Sequence, residues 1–258
     1  MIDAAPVFEY TISARYGGVT VLDQIQGSLR SGEIVSLVGL SGSGKTTLSM
    51  SLLQLLQYRG GTVSGSIRLH GRELFGLPAG ELRNVRGKEI GYVPQSPTAA
   101  LNPRLRIQTL LDETWGAHAT GKPPAGFYEE LLGSVSLPAD AEFRRKYASS
   151  LSVGQGQRLL IALGILHKPA VLLADEPTSA LDVITQSQIL KLLSELARRS
   201  NMAMLFISHD LQAVASFSSR VEILHRGRVV ETGAPAEIFR NPVHPFTQEL
   251  VRSLPRGF

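Results

Sequence analysis

The stretch GLSGSGKT, at residues 39–46, decides the fold class of this chain. It fits the pattern G-x-x-x-x-G-K-[ST], which is typical of a loop that binds phosphate groups. The apolar, β-branched run IVSLV at residues 34–38 precedes the motif, and apolar residues recur at helical spacing from residue 46 to residue 56. The sequence therefore predicts a strand, a glycine-rich loop and a helix, in that order.

This loop has the composition that phosphate recognition requires. Glycine lets the backbone adopt positive φ and approach phosphate oxygens, so that successive N–H groups point inward. The following helix adds the positive end of its dipole. We expect Lys45 to contact the β- and γ-phosphates and the Thr46 hydroxyl to ligate Mg²⁺. The other predicted nucleotide-binding residues are Gly39, Ser41, Gly42, Ser43, Gly44 and Thr47. A Gly/Ser-rich turn without a ligand is the alternative, which the flanking strand and helix disfavour.

An acidic pair follows a second apolar run, in VLLADE at residues 171–176. Asp175 and Glu176 are adjacent, so their side chains leave the backbone in different directions. We expect Asp175 to hold Mg²⁺, directly or through water, and Glu176 to polarise the attacking water. The alternative is a pair of acids that only ends a strand.

Two more polar residues stand where predicted strands end. Gln95 follows the strand IGYV, and His209 follows the strand AMLFIS. A glutamine is able to contact both Mg²⁺ and water, and a histidine to hydrogen-bond the γ-phosphate. A structural role is the alternative for each. We expect structural roles for the other five histidines, which are His70, His118, His167, His225 and His244.

The sequence also bears on which base is bound. The guanine-reading pattern Asn-Lys-x-Asp is absent. An adenine base needs an aromatic platform, and we expect Tyr16, in a turn before the apolar pair at residues 21–22, to provide it. Phe8 and Tyr10, in the strand before that turn, are the competing candidates.

Composition excludes several classes of protein. The 258 residues include no cysteine, which excludes a disulfide scaffold, a thiolate zinc site and an iron–sulfur cluster. The apolar share of 43% and the charged share of 19% are those of a globular protein. The longest apolar stretch, at residues 159–166, is too short to span a membrane, and the N-terminus has no signal-peptide pattern. We therefore expect a soluble protein. The net charge of +4 is compatible with nucleic acid, anionic lipid or a nucleotide as a partner, or with an ordinary surface.

Two further motifs carry a family resemblance. LSVGQGQR lies at residues 151–158, and SALD lies at residues 179–182. Together with the motifs above, in this order and spacing, they resemble an ABC-type ATPase over nearly the whole chain. LSVGQ is similar to the signature motif of that family and SALD to its D-loop. The remaining positions that match are those of the A-loop, Q-loop and switch histidine, namely Tyr16, Gln95 and His209.

The resemblance implies a fold class, α/β: a P-loop NTPase core with a mostly parallel sheet flanked by helices. An N-terminal antiparallel β-subdomain and an inserted α-helical subdomain, at approximately residues 96–168, complete it. Strand-like and helix-like segments alternate after residue 168, in agreement with such a core. The prediction is a single ABC ATPase domain at residues 1–258, with a short C-terminal tail at approximately residues 241–258.

The resemblance also implies that two such domains pair head to tail, with ATP and Mg²⁺ between them. Each ATP lies between the phosphate loop of one subunit and the signature motif of the other, so Ser152, Gly154 and Gln155 are expected to bind the partner's nucleotide. We expect Ser152 to cap a helix that begins near Val153 and whose dipole points at the γ-phosphate. The implied catalytic residues are Glu176, His209 and Gln95, and the implied Mg²⁺ ligands are Thr46, Gln95 and Asp175.

Three segments indicate which subfamily the chain resembles. SPTAALNP after Gln95, DVITQSQIL after SALD, and HPFTQELVRSLP near the C-terminus resemble ATPases of importers for oligopeptides, dipeptides and nickel. This resemblance implies a second ATPase subunit, usually non-identical, although a homodimer stays open. It further implies two integral membrane permease subunits, an extracytoplasmic substrate-binding protein, no nucleic acid, and a peripheral location at the cytoplasmic face of the inner or plasma membrane. The alternatives are a soluble assembly-type ATPase of the phosphonate-utilisation kind and an ATPase that acts on nucleic acid or the ribosome.

Two residues depart from the signature pattern of the family. Val153 stands where glycine is usual, at a position where the backbone closely approaches phosphate. Gly156 stands where a longer polar residue is usual, and glycine in a helix costs about 0.5–1 kcal/mol relative to alanine. We expect the composite site that contains Val153 to turn over more slowly than the other site of a heterodimer.

Overall fold

The structure is a computed structural model that describes residues 5–254. The predicted domain at residues 1–258 and the predicted tail at about 241–258 both extend beyond these described residues. Within them, the strands are β1 (Phe8–Tyr16), β2 (Val19–Leu29), β3 (Ile34–Val38), β4 (Gly61–Leu69), β5 (Arg72–Glu73), β6 (Ile90–Val93), β7 (Val171–Asp175), β8 (Ala203–Ser208), β9 (Arg220–His225) and β10 (Arg228–Gly233).

The α-helices of the described residues are α1 (Lys45–Leu52), α2 (Ala79–Val85), α3 (Pro97–Ala100), α4 (Ile107–Gly116), α5 (Phe127–Ser134), α6 (Ala141–Arg145), α7 (Val153–Ile165), α8 (Val183–Ser200), α9 (Leu211–Ala215), α10 (Pro235–Arg240) and α11 (Pro245–Arg252). None of them is at once long enough and apolar enough to cross a membrane.

Two sheets organise the molecule. The larger has six strands in the order β10-β9-β3-β8-β7-β6 and is parallel except for the edge strand β10, which pairs antiparallel with β9. The smaller is antiparallel and has four strands in the order β2-β1-β4-β5. The α/β fold class is therefore confirmed, including the antiparallel N-terminal sheet.

The central strands are apolar because both faces of the large sheet are covered. Every residue of β3, β7 and β8 is buried, as expected for parallel strands between two layers. Alternate residues along β7 face different cores. Ala174 packs in the core that includes Leu111, Leu132 and Leu159 of α4, α5 and α7. Leu173 packs in the core that includes Leu48 of α1 and Phe8 of β1.

The connection between β6 and β7 is helical. Its described residues form α3 to α7 and a short 3₁₀ turn, with a single isolated bridge that joins Arg106 to Tyr147. These helices lie on one face of the large sheet, whereas α1 and the small sheet lie on the other. The boundary of an inserted subdomain at about residues 96–168 stays a prediction.

Two local expectations were wrong. The helix predicted at residues 46–56 ends as α1 at Leu52, and a 3₁₀ turn follows at Leu56–Arg59. Between them Gln54 has a φ of 52°, which interrupts the helix in a stretch whose apolar spacing continues. Tyr16 is the last residue of β1, where it pairs with Val19, and does not lie in the turn itself.

The topology brings the ends of four strands to one edge. β6, β7, β8 and β3 are successive neighbours in the large sheet, and all four run in the same direction. Gly39 follows β3, Asp175 ends β7, and His209 follows β8. The carboxyl edge of an open parallel sheet is the usual place for a ligand site, so the predicted functional residues converge there.

Candidate functional site

The phosphate loop joins β3 to α1 and has the backbone of a ligand-binding loop. Gly42 and Gly44 have φ of 81° and 110°, a region that favours glycine. A Cβ atom on Gly39 would lie 2.6 Å from the carbonyl oxygen of Leu224, so this position has no room for a side chain. The first N–H groups of a helix have no partner within the helix, and here they belong to the start of α1, at Lys45. The loop and the helix end are therefore suited to bind an anion.

The Lys45 side chain is held inside this loop. Its Nζ atom donates hydrogen bonds to the carbonyl oxygens of Gly39, at 2.8 Å, and Leu40, at 3.1 Å. The same Nζ lies 3.2 Å from Oε1 of Glu176, with the Lys45 side chain 5% exposed. The Lys45 cation is thus positioned at the carboxyl edge of the sheet, in contact with the Glu176 carboxylate.

Asp175 is buried at the end of β7, beside α1. Its Oδ2 accepts hydrogen bonds from the hydroxyls of Ser49, at 3.0 Å, and Tyr92, at 3.4 Å. Burial raises the pKa of Asp175, and the Glu176 charge adds to this, while the nearby hydroxyls of Ser49, Thr46 and Tyr92 lower it. Its Oδ1 has no hydrogen-bond partner among the described residues. A buried carboxylate oxygen in this condition fits a hard cation such as Mg²⁺.

Glu176 lies at the centre of the site. Its Oε2 is 2.9 Å from Nδ1 of His209 and 3.4 Å from Nε2 of Gln95, while its Oε1 faces Lys45. The residue has a φ of 46°, which is uncommon for a residue other than glycine. Non-glycine residues in this region occur preferentially at functional sites, where the surrounding structure enforces them. This turn lets the side chain reach the edge of the sheet directly after the buried Asp175.

Gln95 connects the site to the SALD segment. Its Nε2 lies 3.4 Å from Oγ of Ser179, the first residue of SALD. Asp182, the last residue of SALD, caps α8 by accepting hydrogen bonds from the N–H groups of Ile184 and Thr185. The residues that follow β6 and β7 are therefore linked by a single glutamine.

The signature segment forms a capped helix start. Ser152 Oγ accepts from the N–H of Gln155 at 3.2 Å, and Gln155 Oε1 accepts from the N–H of Ser152 at 3.1 Å, which together form a capping box. The predicted cap is confirmed, and α7 begins at Val153, which is 45% exposed. Within residues 5–254, no hydrogen bond or ion pair joins Ser152, Gly154 or Gln155 to the phosphate loop. The signature residues are therefore separate from the cluster around Glu176.

The two glycines of this segment permit close packing. A Cβ on Gly154 would lie 3.1 Å from Cγ2 of Thr185 in α8, and a Cβ on Gly156 would lie 3.0 Å from Cβ of Pro97 in α3. The loss of helix propensity at Gly156 thus accompanies a tight contact between α7 and the segment that follows Gln95. This contact is a structural reason for glycine at the position where the family usually has a longer residue.

The aromatic candidates differ in exposure. Phe8 is 0% exposed and Tyr10 is 4% exposed, so both are core residues and unable to offer a ring face to a base. Tyr16 is partly exposed, and a Cβ on Gly61 would lie 3.1 Å from its ring, so the tyrosine packs against the backbone of β4. Tyr16 is the candidate of the three that remains accessible.

The other histidines lie outside the cluster. His167 Nε2–H donates a hydrogen bond to the Thr114 carbonyl oxygen, and its ring forms an edge contact with His118. His225 stacks on Phe246, and His244 caps α11 by accepting from the N–H of Phe246. His70 lies in the turn directly after strand β4 and has a φ of 50°.

Sequence reasoning missed Ser49 and Tyr92, the two hydroxyls that bond Asp175. Ser49 is fully buried, and its position one helical turn after Lys45 was the available signal. Tyr92 carries no such signal, because a tyrosine in a strand is ordinary.

Three comparisons bear on this geometry. A sequence model described as ABC transporter matches residues 22–179. The chain is 38% identical over 248 residues to the oligopeptide transport ATP-binding protein OppD of Escherichia coli (strain K12), which covers 95% of this chain and 73% of that protein. It is 39% identical to the peptidoglycan transport ATP-binding protein YejF of Agrobacterium fabrum over 97% of this chain and 47% of that protein.

A solved structure is similar as well. It is the dimeric structure of a post-hydrolysis state of the ATP-binding cassette MJ0796 bound to ADP and Pi, with a TM-score of 0.74 and 26% identity. The similarity covers 88% of this chain and 98% of that one.

Proposed function

The chain belongs to the ABC transporter family of ATPases, and we propose that it binds and hydrolyses ATP as the energising subunit of a peptide importer. One observation supports the site most strongly. The Glu176 carboxylate contacts Lys45, His209 and Gln95 at the carboxyl edge of the sheet, next to a buried aspartate.

The phosphate loop binds the phosphates of ATP. The N–H groups of Ser41, Gly42, Ser43 and Gly44 and the start of α1 surround the phosphates, and the hydroxyls of Thr46 and Thr47 extend this surface. Lys45 exchanges its contact with Glu176 for one with the β- and γ-phosphates. Tyr16 stacks on the adenine base, supported by its partial exposure next to β4.

Thr46, Gln95 and Asp175 would hold Mg²⁺, which supplies charge neutralisation at the transferring phosphoryl group when it is bound. The buried and unpartnered Oδ1 of Asp175 supports this donor set. Tyr92 and Ser49 orient the Asp175 carboxylate through its other oxygen.

Hydrolysis needs a base and a group that contacts the γ-phosphate. Glu176 Oε2 accepts the proton of the attacking water, and Gln95 orients that water by hydrogen bonding. His209, which is half-exposed and lies beside Glu176, donates a hydrogen bond to the γ-phosphate. The products are ADP and phosphate.

The second half of each site comes from a partner ATPase. Ser152, Gly154 and Gln155 stand at a capped helix start, and within residues 5–254 no hydrogen bond or ion pair joins them to the phosphate loop. An ATP bound to the partner's phosphate loop gives this helix end an anion, and the similar MJ0796 structure is a dimer. We expect a heterodimer, with a homodimer as the alternative.

The membrane partners follow from the relatives. OppD and YejF are named as transport ATP-binding proteins, and we propose by analogy two integral membrane permease subunits and an extracytoplasmic substrate-binding protein. The ATPase then lies at the cytoplasmic face of the membrane. The helices α3 to α7, which follow Gln95, form an inserted subdomain that carries the docking surface. Oligopeptides or dipeptides are the proposed cargo, and nickel or metal chelates are the alternative.

Val153 makes the two composite sites unequal. Its side chain is exposed at the first residue of α7, where a partner's γ-phosphate would approach the backbone. We expect this site to bind ATP and turn over slowly, and the site built on Lys45 and Glu176 to be fully active.

Co-purification tests the proposal. The chain is tagged, extracted from its own membranes in mild detergent and isolated with its partners. Permease subunits with a second ATPase support the importer. Ribosomes or RNA, or a soluble enzyme complex without membrane subunits, contradict it.

A further inference from the structure

We propose that the C-terminal segment HPFTQ, at residues 244–248, positions the phosphate loop. Phe246 holds the turn of the β9–β10 hairpin through His225, and that turn fixes a peptide group of the loop. The inference rests on the nucleotide site proposed above and gives a role to a segment outside that site.

Strand β10 anchors the segment. The Glu231 carboxylate accepts hydrogen bonds from the N–H groups of Val243, at 2.8 Å, and His244, at 3.0 Å. His244 then caps α11, because its Nδ1 accepts from the N–H of Phe246 at 3.2 Å. The backbone N–H groups of Val243, His244 and Phe246 are thus all hydrogen-bonded around the start of α11, which sets the position of the Phe246 ring.

Phe246 connects α11 to the β9–β10 hairpin through a ring contact. It is 8% exposed, and its ring stacks on the His225 imidazole with the centroids 3.8 Å apart and the planes at 28°. His225 is the last residue of β9 and immediately precedes the turn. The stacked pair therefore connects α11 to the turn residues Arg226 and Gly227.

The turn is clamped between the phosphate loop and β2. Arg226 and Gly227 have φ of 48° and 76°, as in the tight turns that best fit antiparallel hairpins. The N–H of Gly227 donates to the carbonyl oxygen of Ser43 at 3.1 Å, and its carbonyl oxygen accepts from the N–H of Asp23 at 2.8 Å. A Cβ on Gly227 would lie 2.1 Å from the carbonyl oxygen of Val21, so this fit requires glycine.

The bond to Ser43 orients a peptide group of the phosphate loop. The peptide that joins Ser43 to Gly44 is planar, and its C=O and N–H point in opposite directions. Because the Ser43 carbonyl points at Gly227, the Gly44 N–H points away from the hairpin. If the stacked pair is lost, the turn moves more freely and this amide is no longer held for phosphate. The affinity for ATP then falls, while the groups around Glu176 are unchanged.

The test compares Phe246→Ala with Val243→Ala in the full chain. Val243 lies in the same segment, is 81% exposed and uses only its backbone to contact Glu231, so its substitution is the control. We expect Phe246→Ala to raise the ATP Kd about threefold to tenfold, with kcat at saturating ATP retained. Hydrogen exchange should rise in the peptide that covers residues 40–46, with ATP absent. Val243→Ala should match the wild type in each measurement.

A second pair of variants distinguishes loss of the stacking contact from a general folding defect. His225→Ala should reproduce the weaker ATP binding and the faster exchange, and His225→Phe, which keeps a stacking ring, should restore both. Unchanged affinity and exchange in Phe246→Ala, or a defect in kcat alone, would overturn the inference, as would His225→Phe behaving like His225→Ala. The exchange measurement needs no nucleotide, so it decides the inference even if wild-type protein fails to bind ATP, which would defeat the proposed function instead.

Discussion

Glu176 Oε2 and His209 Nδ1 lie 2.9 Å apart, although 33 residues separate them in the chain. The two residues follow the neighbouring parallel strands β7 and β8, and the positive φ of Glu176 brings its side chain to the shared edge. The other carboxylate oxygen faces Lys45. The Glu176 carboxylate therefore contacts both Lys45, which is proposed to bind the β- and γ-phosphates, and His209, which is proposed to donate a hydrogen bond to the γ-phosphate.

Glu176→Gln should stop turnover and keep ATP binding. Removal of a general base costs typically 10²–10⁴-fold in rate, while the loss of its charge relieves the competition with phosphate for Lys45. Steady-state hydrolysis and equilibrium ATP titration measure the two effects. Glu195→Gln on the exposed face of α8 is the matched control. Normal hydrolysis in Glu176→Gln would exclude this residue as the base.

Lys45→Ala should weaken ATP binding itself. The Lys45 cation is buried in the loop and is proposed to contact two phosphates, so its removal leaves their charge without a partner. We expect an increase of at least about tenfold in the ATP Kd, equivalent to roughly 1.4 kcal/mol. Lys191→Ala, an exposed lysine of α8, is the control. An unchanged Kd in Lys45→Ala means that the phosphate assignment is wrong.

Val153→Gly should accelerate the composite site that contains the signature of this chain. In the assembled heterodimer, Glu176→Gln silences the other site, so residual hydrolysis reports the site of interest. Addition of Val153→Gly should raise that rate, because the backbone gains room to approach phosphate. Val153→Ala, which removes the branched side chain without adding glycine's freedom, should have a smaller effect. Equal rates with valine and glycine contradict the proposed inequality.

Glu222 should make stability depend on pH. Burial raises the pKa of Glu222 to about 7, although the Arg220 guanidinium acts in the opposite direction. Between the ordinary glutamate value of 4.5 and about 7, the folded protein keeps a proton that the unfolded chain releases, so the free energy of unfolding falls as pH rises. Denaturant unfolding should show a decrease on the order of 1–3 kcal/mol across this interval. Glu222→Gln should reduce it and Glu195→Gln should not, and equal slopes in all three proteins contradict the prediction.

Much of the fold could be predicted because its signals are local. The runs at β3, β7 and β8 are apolar at nearly every position, which indicates strands buried on both faces. The predicted positions of Gln95, Asp175 and His209 at strand ends then placed them on one edge, since parallel strands share that edge. The sequence also predicted that Ser152 caps α7, which the structure confirms.

Other features depended on contacts between distant residues. The bond from Ser49 to Asp175 joins residues 126 positions apart, and the contact of Gly156 with Pro97 depends on how two helices cross. The end of α1 at Leu52 was not predicted because the helical spacing of apolar residues continues past it. The residue that breaks the helix is Gln54, which adopts a left-handed conformation although it is not a glycine, so the sequence gives no signal for it. The positive φ of Glu176 likewise has no sequence signal, yet it determines which groups its carboxylate contacts.

Transport by the native complex tests the central claim most directly. The complex is purified from membranes through a tag on this chain and reconstituted with its binding protein, and ATP-dependent uptake of a peptide is measured. The account predicts uptake with the wild-type chain and none with Glu176→Gln, although both chains retain their permease subunits. Equal uptake with both chains, or a chain that purifies with RNA or soluble enzymes and no permease, would contradict it.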